Sequence, residues 1–140
     1  MRSKGLKKTT EQRVAKRAFD FVNDVMGEVK SPRSEYRSYV RKLPSFIQIN
    51  GLLTTIAFYF SKVKKDNAES KAYELVLNHV REHLIDEQLI TDSNRTNKDL
   101  LNTLVNLEDV SAYRRMTSSI VHFAMYLSRF AEGLYDEKKR

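Results

Sequence analysis

The stretch that decides the fold is LPSFIQINGLLTTIAFYF, residues 43–60, in which more than half of the side chains are apolar. The apolar residues recur every three or four positions and also spread around the cylinder, which is typical of a helix buried on most sides. Gly51 lies mid-run and costs about 1 kcal/mol of helix propensity relative to Ala, so we expect a neighbouring helix to pack against its bare backbone. Polar side chains interrupt the run, which argues against membrane insertion. The stretch therefore predicts a central core helix.

Helix start signals precede this stretch. Thr9–Gln12 have the spacing of a capping box, at the start of a helix that we expect to run to about Val29. Ser31–Pro32 read as an N-cap followed by a first-turn proline, which predicts a short second helix. Pro44 disfavours helical geometry in the residue before it, so we expect a bend there before the central helix.

Further helices are predicted after the central stretch. Asp66 is a candidate cap for a fourth helix that ends near Ile90. Leu100–Val105 supply the apolar face of a short helix, and the last helix is expected to begin near Asp109. The pattern therefore predicts helices from one end of the chain to the other.

Composition supports a single all-α domain. Two prolines and four glycines are few among 140 residues, and strand-like alternation is scarce. We expect one domain over residues 1–140, a compact bundle of about six helices around a buried central helix. A basic tail is expected over about residues 1–9 and a charged tail over about residues 135–140. There is no cysteine, and the first residues are polar and basic, so we expect a cytoplasmic location.

Positive charge is concentrated in the first half of the chain. The net charge is +7, but the first 71 residues carry +9, residues 72–110 carry −5 and residues 111–140 carry +3. Such asymmetry suggests a polyanion on one face and other contacts elsewhere. The candidate phosphate-binding residues lie on the first helix and on both flanks of the central stretch: Lys16, Arg17, Arg33, Arg37, Arg41, Lys42, Lys62 and Lys65.

Two alternatives accompany this basic surface. Lys16 and Arg17 are predicted to lie on or beside the solvent face of the first helix, and a solvated helix face is the ordinary alternative for any run of charges. Tyr36 and Tyr39 interleave with the arginines and could stack on bases if exposed, with core packing as the alternative. A second stripe on the last helix is a candidate for the same polyanion or for a subunit interface: Arg115, His122, Tyr126 and Arg129.

One motif points to a metal. His79–His83 spell H-x-x-E-H, which on a helix places two imidazoles one turn apart and a possible general base between them. A catalytic zinc needs a third protein ligand and a pocket, and neither is evident. We therefore expect a solvated helix face that carries two histidines, with no zinc, no cofactor and no enzymatic activity. A small zinc hydrolase built on these histidines is the alternative.

Two blocks of sequence resemble a known family. The first comprises Tyr39–Pro44, Asn50–Leu52, Ala57–Phe58 and Ser61–Lys62, and the second is Phe123–Leu134. Together they resemble the small helical subunit of the Cmr complex, the type III-B CRISPR effector.

The resemblance implies a non-catalytic subunit of a ribonucleoprotein in antiviral defence. Members of that family stack in several copies, forming a filament beside the backbone subunits that hold the guide RNA. The expected partners are other Cmr subunits, guide RNA, target RNA and copies of the chain itself, without a membrane. The implied mechanism is support of the guide–target RNA through its phosphates and shape. A stand-alone, non-specific nucleic-acid-binding protein is the alternative.

Overall fold

The computed structural model describes residues 8–135, and these form six α-helices without a strand. The helices are α1 (Thr10–Met26), α2 (Arg33–Asn50), α3 (Leu52–Ser61), α4 (Ala68–Asp86), α5 (Asn97–Asn106) and α6 (Val110–Leu134). α2 lies at the centre and packs against α6, α4 and α3. The prediction of an all-α bundle of about six helices is confirmed. None of these helices combines the length and apolarity that a membrane span requires.

The first helix begins as its sequence predicts. The Thr9 hydroxyl accepts a hydrogen bond from the Gln12 N–H at 3.0 Å, and the Gln12 side chain accepts one from the Thr9 N–H at 2.9 Å. This capping box satisfies two backbone donors that a helix start leaves open. α1 ends at Met26, before the expected Val29, and its buried face comprises Val14, Ala18, Val22 and Val25.

The central stretch is two helices rather than one. α2 continues through Pro44 and ends at Asn50, and α3 begins at Leu52. Gly51 between them has a φ of 89° and a ψ of 159°, a conformation that glycine adopts freely and other residues rarely do. The helix break therefore falls at Gly51, and the expected bend at Pro44 is wrong as a helix boundary. The Asn-Gly pair is itself a turn signal that could have located the break.

We expect Gly51→Ala and Gly51→Leu to lower the free energy of unfolding by similar amounts, about 1–3 kcal/mol each. The cost is backbone strain, because a Cβ at Gly51 would meet only the Tyr113 hydroxyl, at 4.0 Å. Urea unfolding measures both variants. Gly133→Ala on α6 is the control, since it has space for a Cβ and a helical backbone and should not destabilise the protein. A far larger loss for Leu than for Ala would restore the packing role predicted from the sequence.

Two predicted helix caps and one predicted helix end differ from the structure. Ser31 does not cap α2: its hydroxyl donates to the Val25 carbonyl, and the N-cap of α2 is Pro32, which has no side-chain cap bond. α4 is capped by Asn67 rather than Asp66, since the Asn67 side chain accepts from the Ser70 N–H at 2.9 Å. α4 ends at Asp86, before the expected end near Ile90.

Two positions near the end of the chain also differ from expectation. Val105 is 63% exposed, because α5 turns its Leu100 and Leu104 inward instead. Tyr135, assigned to the charged tail, is buried, and its hydroxyl donates to the Val22 carbonyl at 2.6 Å. The rest of the predicted tails, residues 1–7 and 136–140, lies outside the described residues.

The first and last helices run side by side in the same direction. The Tyr126 hydroxyl on α6 donates to Glu11 at 2.7 Å, at the start of α1, and Tyr135 reaches Val22 near its end. α1 packs mainly against α6, so the first element of the chain depends on the last.

Candidate nucleic-acid interface

A groove of about 710 Å³ lies where the α3–α4 connection passes α2. Most of its lining comes from the end of α3, the connection and the first two turns of α4, and α2 contributes one residue. The lining residues are Tyr39, Ser61, Lys62, Lys64, Lys65, Asn67, Glu69, Ser70 and Tyr73. We call this surface the lysine groove.

Ser70 fixes the backbone that carries the lysines. Its hydroxyl accepts hydrogen bonds from the N–H groups of Lys64 and Lys65, at 3.3 and 3.0 Å. The same hydroxyl donates to the Lys62 carbonyl at 3.0 Å. Because Ser70 is buried and belongs to the first turn of α4, it attaches the connection firmly to that helix. The three lysines are thus displayed from an ordered segment rather than a loose loop.

Two stacked tyrosines form an aromatic wall of the groove. The rings of Tyr39 and Tyr73 lie 3.9 Å apart between centroids and 12° from parallel. Tyr59 packs edge-on against both, and its hydroxyl donates to the Tyr39 carbonyl at 2.7 Å. Burial, followed by the nearby Tyr73, raises the pKa of Tyr39 to about 12. Tyr39 is therefore a neutral phenol at physiological pH.

The groove carries a net positive charge. Among residues 8–135, no carboxylate lies within 4.0 Å of the ammonium groups of Lys62, Lys64 or Lys65. Glu69 is the single acidic residue among the groove's lining residues, and Lys62 sits 5.0 Å from the centre of the Phe58 ring. Unpaired cations on a concave surface attract anionic ligands.

The basic residues of α2 divide between two faces. Lys42 is exposed and follows Tyr39 by three residues, so it projects from the groove side of the helix. Arg37 and Arg41 lie two residues before and after Tyr39, which places them on the opposite side. With Arg33, one turn earlier and half-buried, they share one face of α2, and we call these three residues the arginine stripe. Among the α2 candidates, Lys42 thus lies on the groove side of the helix, although it does not line the groove, and the arginine stripe lies on the other side.

The candidates on α1 belong to neither surface. Arg17 is only 10% exposed, and its guanidinium pairs with Asp86 at 3.1 Å and Glu87 at 2.9 Å. Arg17 thus lies beside the solvent face of α1 rather than on it, because the acidic end of α4 packs against it. Lys16 is exposed and pairs with Asp20 at 2.9 Å. We do not propose either as an RNA contact.

Both histidines of the H-x-x-E-H motif are buried, with 6% exposure for His79 and 1% for His83. The Arg17 guanidinium donates to His83 Nδ1 at 2.8 Å, so the proton of the neutral ring sits on Nε2, which lies 2.8 Å from the Ser119 hydroxyl. His79 Nδ1 lies 2.7 Å from the Tyr36 hydroxyl. Burial lowers the pKa of His79 to about 3 and, with help from Arg17, that of His83 to about 4.

The predicted solvated face for these histidines is therefore wrong. The His79 ring stacks on Phe21 at 4.2 Å and the His83 ring on Phe123 at 4.1 Å, so both belong to the core. Tyr36 is also fully buried, which removes it as a base-stacking candidate. Within residues 8–135, no group of three His, Cys, Asp or Glu side chains is placed to hold a metal ion. That the protein binds no zinc stays a prediction.

The second stripe lies on the outer face of α6. His122, Tyr126 and Arg129, together with Met125, line a shallow cleft of about 220 Å³. Arg115 lines a different cleft, beside Glu87. The structure therefore divides the second stripe, since Arg115 lines one cleft and the other three residues line another.

Comparison with known proteins identifies the family. Residues 10–134 match the family described as CRISPR-associated protein (Cas_Cmr5). The chain belongs to the Cmr5 family. The match spans all six helices, from the first turn of α1 to the last residue of α6. As a member of the Cmr5 family, the chain is a small subunit of the Cmr complex, the type III-B CRISPR effector. The resemblance in its sequence predicted this.

A solved Cmr5 structure shares the fold. The chain is similar to a CRISPR-associated Cmr5 family protein from Thermus thermophilus, with a TM-score of 0.70 and 24% identity. The similarity covers 91% of this chain and 98% of that chain. The helical bundle of this Cmr5-family chain is thus the fold of its family.

The candidate RNA-binding set predicted from the sequence lacks Lys64 and Tyr73 of the lysine groove. Lys64 lies between candidates in the same basic run, so local charge was a sufficient signal for it. Tyr73 falls on the apolar stripe of α4, and its spacing indicates core packing. Only the stacking on Tyr39, 34 residues earlier, shows that Tyr73 belongs to the groove.

Proposed function

We propose that the chain is a non-catalytic subunit of the Cmr complex that supports guide–target RNA through its lysine groove. The observation that carries this proposal is the set of three lysines on a connection tied down by Ser70, without carboxylate partners among the described residues. Lysines bind phosphates as point charges and carry no sequence information, which suits a subunit that must accept any guide.

Several copies stacked along one RNA strand give this surface its affinity for RNA. One groove offers few phosphate contacts, so the isolated subunit should bind RNA weakly. Several copies along one strand act together, because each further contact is made at high effective concentration. Lys42 adds a cation on the groove side of α2, while Arg37 and Arg41 on the opposite side face a second strand or a neighbouring subunit.

We expect the triple variant Lys62→Ala, Lys64→Ala and Lys65→Ala to weaken target RNA binding by the assembled complex about 10- to 100-fold at about 0.1 M salt for each copy that contacts the RNA. The reason is the loss of three phosphate contacts per copy, each worth about 0.7 in the salt slope for single strands. The slope of log affinity against log salt should flatten by about 2 per copy, equally for unrelated target sequences. Titration of labelled target RNA at several salt concentrations measures both quantities, after co-purification confirms that the complex assembles.

A matched variant controls for the lost charge. Arg95, Lys98 and Arg114 lie outside the lysine groove, so their triple alanine variant should keep the affinity and the salt slope. Arg37→Ala with Arg41→Ala tests the arginine stripe separately. Unchanged affinity and slope in the groove variant would contradict the proposal and move RNA binding to the stripe or to another surface.

A further inference from the structure

Besides the lysines that can bind a phosphate, the lysine groove contains aromatic rings and polar side chains. We propose that it also binds one unpaired nucleotide, with the base against the Tyr39–Tyr73 pair and the phosphates held by the lysines. This inference rests on the proposed function, because it assigns a second ligand feature to the same groove.

The stacked rings of Tyr39 and Tyr73 provide a surface on which a base can stack. Both rings line the groove, and edge-on packing by Tyr59 holds the stacked pair in place. A ring that is already ordered loses little conformational freedom when a base stacks on it. Base–aromatic stacking accepts every base, since each has a π-face, so it suits a subunit without sequence preference.

The size and the lining of the groove also suit a nucleotide. Its volume of about 710 Å³ lies within the range of about 300–1,000 Å³ that small-molecule sites occupy. Asn67 and Glu69 add an amide and a carboxylate to the lining, which can meet the hydrogen-bonding edge of a base. The lysines and the tyrosines therefore match the two ends of a nucleotide.

The ligand must be unpaired. In a duplex the faces of the bases are stacked on their neighbours and their edges are paired, so a protein reaches mainly phosphates and 2′-hydroxyls. An extruded or single-stranded nucleotide presents its base face to an aromatic side chain. The tyrosine pair thus distinguishes this nucleotide from the paired RNA that lysines alone can support.

Affinity for two RNAs of equal length tests the inference. Full-length protein at low salt is titrated with a single-stranded oligoribonucleotide that contains 2-aminopurine and with its fully paired duplex. Tyr73→Leu should weaken single-strand binding about tenfold and abolish the stacking-induced quenching, while duplex binding stays unchanged. Tyr73→Phe keeps the ring and should bind as the native protein does. Phe19→Leu, at an exposed position on α1 outside the groove, is the control and should change neither affinity.

A second measurement uses the native protein, so it does not depend on the folding of a variant. Photocrosslinking of single-stranded RNA that contains 5-bromouridine, followed by peptide mapping, should place the crosslink on Tyr39 or Tyr73. Crosslinks only on other residues, or none, would overturn the inference.

The outcomes also separate the inference from the proposed function. If Tyr73→Leu folds and keeps its single-strand affinity while the groove-lysine triple variant loses affinity for both RNAs, nucleotide binding is rejected and phosphate support stands. Equal weakening of both RNAs by Tyr73→Leu rejects nucleotide binding as well. If the lysine variant binds both RNAs as the native protein does, the proposed function fails and the inference fails with it.

Discussion

Lowering the pH from 7 to 5 is expected to reduce the free energy of unfolding by about 4 kcal/mol through the two buried histidines. Burial lowers the pKa of His79 to about 3 and that of His83 to about 4, against an ordinary value of 6.5. Between these values and 6.5 the unfolded chain binds more protons than the folded chain, so acid favours unfolding. The stability is fully present above about pH 6.5 and falls by about 2 kcal/mol per histidine by pH 5.

Urea unfolding at both pH values measures this loss. Glutamine offers an acceptor and a donor without titrating, so the double variant His79→Gln and His83→Gln should show little difference between the neutral and the acidic buffer. The exposed His122 provides the control, and His122→Gln should keep the full acid sensitivity of the native protein. An equal loss in the double variant and the native protein would assign the effect to other groups.

Replacing Arg17 by methionine is expected to destabilise the protein by about 3 kcal/mol. The guanidinium donates to His83, pairs with Glu87 and Asp86, and is nearly buried, so its removal leaves polar groups without partners. The pKa of the Glu87 carboxylate also depends on Arg17. Burial alone would raise its pKa, but hydrogen bonds from Arg17 and Arg13 outweigh that effect and lower it.

Arg13→Met is a matched control for this variant. Arg13 binds the same Glu87 oxygen at 2.6 Å, but its side chain is 47% exposed. An exposed ion pair is worth about 0–1 kcal/mol, so Arg13→Met should change stability far less than Arg17→Met does. Thermal or urea unfolding of both variants at neutral pH checks the difference. Equal effects would show that burial of Arg17 contributes nothing beyond a surface pair.

Local signals predicted the parts of the fold that depend on neighbouring residues. The Thr9 capping box acts over three residues, and the structure has it. The last helix was expected near Asp109 and begins at Val110. The position of Gly51 was misjudged because apolar periodicity continues across it and hides the break. Periodicity describes which faces are apolar, while the φ of a single residue decides whether two such faces belong to one helix.

Long-range partners explain what the sequence did not predict about the site. Arg17 and His83 look like surface residues in their own helices, yet they bond each other across 66 positions. The lysines could be predicted from charge, because the run between α3 and α4 is local. Their union with Tyr39 and Tyr73 required the packing of α2 against α4, which no spacing within one segment reveals.

Because α1 packs mainly against α6, folding can be completed only after α6 has been synthesised. α1 leaves the ribosome first, and its main partner is translated last, about 5–20 s later at typical elongation rates. Until then the apolar stripe from Val14 to Val25 lacks the helix that makes most of its contacts. The fold closes only when residues up to Tyr135 have emerged and the Tyr135 hydroxyl can reach Val22. A nascent chain stalled earlier would therefore expose that stripe to chaperones or to other unfinished copies.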